Sequence, residues 1–224
     1  MRDLRQNRHR SGRSNMYSAS KYSNWVSFQP YHSELKKMAK NAPPTRVITL
    51  CEDVKIRIYE QPIHELFLRP YTVDDLEAAL RDVPIRFLTG LNHIFLLGGT
   101  KKQEQTFRSS YYYGFHIRQG WYFSSGSISL CAFPRKYLRD EWSYVPPPHV
   151  QQDFRRVGAK TYTEGNKWVC EFDEAVLRDF FLRDVLIHEI GHHVDAMRRG
   201  PKENLTEDFA EWFAGTYGFR NESL

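Results

Sequence analysis

Residues 185–197, VLIHEIGHHVDAM, set three histidines, a glutamate and an aspartate into a stretch that is otherwise largely apolar. Ionisable groups are costly to bury unless they are paired or bind a metal, so their crowding needs a chemical reason. His188-Glu189-Ile190-Gly191-His192 has HExxH spacing. On a helix, residues four apart lie one above the other, so both imidazoles leave one face and can grip a single ion with the glutamate beside them. Zinc suits such a pair: it takes nitrogen and carboxylate donors at about 2 Å in a four-coordinate shell, and a catalytic site leaves one position to water. A purely structural zinc fills all four positions with protein ligands and has no use for a base such as Glu189.

A third protein ligand has to come from outside the motif. The His-rich spacing HExxHxxGxxH needs glycine at position 195 and histidine at position 198, whereas the chain carries Asp195 and Arg198. Downstream, TEDFAEWFA (206–214) reads as a short helix with Thr206 as its N-cap. Its acids Glu207 and Glu211, four apart, share a face. Glu207 in the first turn is the first candidate, with Glu211 and Asp195 as alternatives. Glu211, one turn deeper, is read as accepting a hydrogen bond from a ligand imidazole. Asp195 either orients a ligand imidazole or anchors the next loop, or forms a plain surface salt bridge with Arg198 or Arg199. His193 is read as a packed or exposed residue and not as a ligand.

With HEIGH followed by EDFAEWFA, the chain resembles the gluzincin metallopeptidases, and within them the lethal-factor and ImmA/IrrE-like groups, over roughly residues 83–218. The resemblance implies an α+β, zincin-like domain with a mixed β-sheet, an HExxH helix and a C-terminal Glu-bearing helix. It also implies Zn2+ held by His188, His192 and Glu207, with Glu189 as general base in the hydrolysis of a protein or peptide substrate. The strand SISLCAF (127–133) falls where such folds keep the edge strand that pairs with an extended peptide. One departure stands out. Lethal-factor-type proteins carry a tyrosine shortly before the ligand glutamate, and residues 198–204 contain none, so the transition-state stabiliser is unassigned. Peptide deformylases also use HExxH, with a cysteine as third ligand, but the flanks of Cys131 differ from that family's Glu-Gly-Cys-Leu-Ser. The alternative function is a non-catalytic or regulatory zinc-binding domain, DNA-associated through an Arg-rich N-terminal tail.

These residues must be positioned by elements that the pattern also marks. HSELKKMAKNAPP reads as an amphipathic helix stopped by Pro43 and Pro44, and VKIRIYE (54–60) alternates as a half-buried strand does. A helix opens at Thr72 and ends before Pro84. HIFLLGG (93–99) reads as a strand, and two or three further β-rich runs follow before residue 134, SISLCAF being the clearest. Lys101 and Lys102 read as a solvated turn. The aromatic runs YYYGF and GWYF lack interleaved basic residues, so a core or cleft wall is expected there in preference to a base-stacking platform. Residues 142–166, with Pro146, Pro147 and Pro148, read as a long loop. KWVCEF is the last strand, and helix runs from Glu174 to Arg199. Strands first and two helices last give an α+β arrangement.

Composition bounds the rest. A chain of 224 residues with 41% hydrophobic content suits one domain with its own core, and no apolar run approaches the roughly 20 residues of a membrane span. The net charge of +5 is concentrated in residues 1–22, where Arg2, Arg5, Arg8, Arg10, Arg13 and Lys21 face only Asp3. The expectation is therefore a disordered basic tail (1–24) capable of weak, salt-sensitive contact with nucleic acid, and a single domain over 25–224. Three widely spaced cysteines and no apolar signal stretch fit reduced thiols in the cytoplasm, with Cys51 and Cys170 as core residues. Nothing in the sequence marks an oligomeric state.

Overall fold

The computed structural model describes residues 34–110, 114–117, 126–148, 151, 154–155, 158–199 and 207–218. The basic tail and the expected cap Thr206 lie outside the described residues. In chain order the elements are helix α1 (34–41), strands β1 (Arg46–Cys51), β2 (Val54–Glu60) and β3 (Phe67–Leu68), helix α2 (Val73–Asp82), and β4 (Leu91–Leu96). Helix α3 (Lys101–Ser110), strands β5 (Gly114–Ile117), β6 (Gly126–Leu130), β7 (Phe133–Pro134) and β8 (Arg139–Trp142), and the pair β9 (Lys160–Glu164) and β10 (Lys167–Glu171) follow. The chain closes with α4 (Glu174–Asp179), a π-helical turn (Phe180–Val185), α5 (Leu186–Arg199) and α6 (Glu207–Tyr217).

The main sheet is mixed, with order β1-β2-β4-β6-β5. β2, β4 and β6 run parallel, while β1 and β5 are antiparallel to their neighbours. The alternation of VKIRIYE sends Val54, Ile56 and Ile58 to one face, where they join Ile94, Leu96, Ile128 and Leu130 in the core that α5 covers. On the opposite face α1 lays Leu35 against Tyr59, Phe95, Leu97 and Cys131. Parallel neighbours require crossovers. α2 lies in the first of them, fixed at its start by a reciprocal capping box between Thr72 and Asp75. A three-stranded antiparallel sheet, β8-β10-β9, stands beside this body. The molecule is thus α+β with a mixed sheet, and among the described residues no helix is long and apolar enough to cross a membrane.

Four expectations change. SISLCAF does not supply the outer strand, because β5 pairs along β6 and takes the edge; strand order is a long-range property that a local pattern does not carry. Lys101 and Lys102 open α3, whose Thr100 hydroxyl accepts the Gln103 amide at 3.2 Å, so what reads as a turn is a polar helix start. The expected loop 142–166 contains β9, paired with β10 from Lys160 to Glu164. Cys51 is exposed at the end of β1, whereas Cys170 is fully buried.

Candidate metal centre

α5 is buried without interruption from Leu186 to Asp195. An amphipathic surface helix would expose one face, so the ionisable residues of this stretch sit inside the molecule: His188, Glu189 and His192 are 4%, 4% and 7% exposed. Gly191 explains how a second helix comes so near. A Cβ there would lie 2.9 Å from the Ala210 Cα and 3.0 Å from the Phe213 Cβ, so α5 and α6 touch almost backbone to backbone, with Ala210 and Ala214 buried on the α6 side.

That approach delivers Glu207 to the two histidines. His188 Nε2 is 3.3 Å from one Glu207 carboxylate oxygen, and His192 Nε2 is 3.5 Å from the other. The imidazole rings stand 4.7 Å apart and nearly perpendicular, and the three donor atoms lie within 4.8 Å of one another. These spacings are long for charge-assisted hydrogen bonds, which run about 2.7–2.9 Å. Two atoms each about 2.0–2.1 Å from a tetrahedral ion are separated by about 3.3–3.4 Å, close to these two nitrogen–oxygen spacings, which go to different oxygens of one carboxylate. The group can hold a metal ion, and Glu207 is the acid that completes it.

The other sequence candidates fall outside that group. Asp195 is 1% exposed and accepts a hydrogen bond from Arg199 Nε at 2.7 Å, so it pairs with one of the two expected arginines, but with its carboxylate buried and not on the surface. Glu211 lies one helical turn beyond Glu207 and is half-buried. Burial pushes the Cys131 thiol up to about 12, with the negative charge of Glu189 adding to the effect. Cys131 therefore feels the site electrostatically without being one of its donors. His193 is packed, as expected, at 3% exposure. Burial lowers its pKa, and the carbonyl of Thr89, 2.9 Å from Nε2, works in the opposite direction. His192 Nδ1 is buried and meets no hydrogen-bond partner among the described residues.

Two features of the surroundings were not read from sequence. Asp184, four positions before His188, is a buried carboxylate in the π-helical turn that leads into α5. A charge inside the apolar run FFLRDVLI was the available signal. The contact between His193 and Thr89 had no local signal, since 104 positions separate them.

Comparison of the chain with protein-family models, with curated proteins and with solved structures finds no match.

Proposed function

We propose that this chain is a zinc-dependent endopeptidase of the gluzincin type, built on a zincin-like domain. The observation that carries the reading is the convergence of two imidazole nitrogens and the Glu207 carboxylate, donor atoms within 4.8 Å of one another, with Glu189 buried beside His188. Three protein donors leave a fourth position, the arrangement of catalytic zinc sites. Bound there, zinc supplies Lewis acidity, making water nucleophilic near neutral pH and polarising a carbonyl oxygen.

The chain's own residues do the rest. His188 and His192 present their Nε2 atoms to the ion, and Glu207 supplies negative charge that would partly balance a divalent ion. Glu189 accepts the proton of the attacking water and hands it to the departing amine nitrogen, which leaves as the peptide bond breaks. An extended substrate would add by main-chain hydrogen bonding along β5, which is the outermost strand among the described residues and packs beside α5.

The test is Glu189→Gln. An amide cannot accept the proton, so the variant should keep its metal and melting temperature while peptide hydrolysis falls by about 10²–10⁴-fold. Undiminished cleavage by this variant would place the activity elsewhere.

A further inference from the structure

We infer that His193 is a positioning residue of the metal centre: its ring, hydrogen-bonded to the Thr89 carbonyl and seated on Gly126, fixes the roll of α5 that aims His188 and His192 at Glu207. The inference rests on the metal-site reading above, and it goes beyond the three donors to what holds them in place.

A carbonyl oxygen only accepts, so the 2.9 Å contact between Nε2 and Thr89 requires the proton on Nε2. The ring lies hard against the start of β6. A Cβ on Gly126 would fall 2.5 Å from the ring's Cε1 and closer still to Nδ1, so any larger residue at 126 displaces the imidazole. The two anchors are themselves joined. Gly90, with φ of +79°, turns the chain so that its carbonyl accepts the Gly126 amide at 2.9 Å, and only glycine adopts that backbone freely. His193 thus closes a contact among α5, the 88–91 loop and the first residue of β6.

The position of this contact around the helix explains its effect. At 3.6 residues per turn, Gly191 and His193 point about 200° apart. Gly191 meets α6 on one side, and His193 meets the sheet and its loop on the other. A helix gripped on opposite sides cannot roll. The grip matters because His192 Nδ1 has no hydrogen bond of its own among the described residues, so on that edge of the ring no polar partner offsets a shift of the backbone carrying it. Rolling α5 by 10° would move a side-chain atom about 6 Å from the axis by about 1 Å, half a metal–ligand bond.

The experiment compares full-length wild type with His193→Leu, which keeps an apolar side chain without the donor, and His193→Gln, whose amide can still donate to Thr89. Zinc affinity is read by chelator competition, and ligand geometry by the visible absorption of the Co2+-substituted protein. His193→Leu should bind zinc about 10–100-fold more weakly with an altered Co2+ spectrum, and His193→Gln should recover most of both. Wild-type affinity and spectrum in His193→Leu, with only the melting temperature lowered, would reduce His193 to core packing and overturn the inference. Should His193→Leu not fold, imidazole nitrogen NMR of the metal-free wild type decides: a slowly exchanging proton on Nε2 supports the contact, and the Nδ1–H tautomer overturns it. Wild type that binds no zinc would instead refute the metal-site reading, an outcome separable from the tautomer result.

Discussion

Glu207 and Glu211 are the same residue type, one turn apart on one helix, and of the two Glu207 is the one grouped with His188 and His192. Glu207 spans both imidazoles, one carboxylate oxygen to each Nε2. Glu211 lies outside the donor group. A carboxylate that supports a site without touching the ion typically alters affinity by about 10–100-fold when removed, whereas loss of a ligand leaves a two-histidine fragment. Equilibrium zinc titration should accordingly show Glu211→Ala weakened by about that factor but saturable, and Glu207→Ala nearly unable to bind. The reverse order would redraw the site around Glu211. At this scale the sequence was informative, because HExxH spacing and an acid four positions from another on a short helix are local patterns with direct geometric meaning. Spacing alone left Asp195 open as a ligand; the coordinates put it outside the donor group and within hydrogen-bond distance of Arg199.

The helix pair is the element on which the centre depends, and Gly191 is its most exposed weakness. Alanine in place of glycine in a helix gains up to about 1 kcal/mol of intrinsic propensity. Here the added methyl would meet the Ala210 Cα at 2.9 Å and the Ala210 carbonyl oxygen at 3.3 Å, backbone atoms that yield only if α6 moves as a body. Overpacking of this kind costs about 1–3 kcal/mol, so Gly191→Ala should lower stability modestly in urea titration. Its zinc affinity should fall by much more than its stability, because displacing α6 carries Glu207 away from both histidines; unchanged zinc affinity would mean that α5 and α6 are not tightly coupled. Element existence was legible wherever an apolar period was present, as in β2, α2 and β10. α3 escaped because Lys101, Lys102, Gln103, Glu104 and Gln105 contain no apolar residue to set a period, and β9 because its KTYTE carries only a partial alternation next to a proline-rich stretch.

Across the whole molecule, the sheet order decides where the centre can face. Placing β5 outside β6 brings a strand edge beside α5, and placing Gly126 at the start of β6 gives the His193 ring its seat. Neither was readable from the sequence, since both depend on pairings between segments far apart along the chain; the local elements carried the α+β class, and the mixed sheet was expected only from the family resemblance. The most direct measurement of the account is the metal content of the purified full chain, by mass spectrometry after exhaustive dialysis, for wild type beside His192→Ala and Glu207→Ala. About one zinc per wild-type chain and little in either variant are expected, since a three-donor site that loses a donor loses most of its affinity. A metal-free wild type, or full zinc retention in Glu207→Ala, would contradict that expectation.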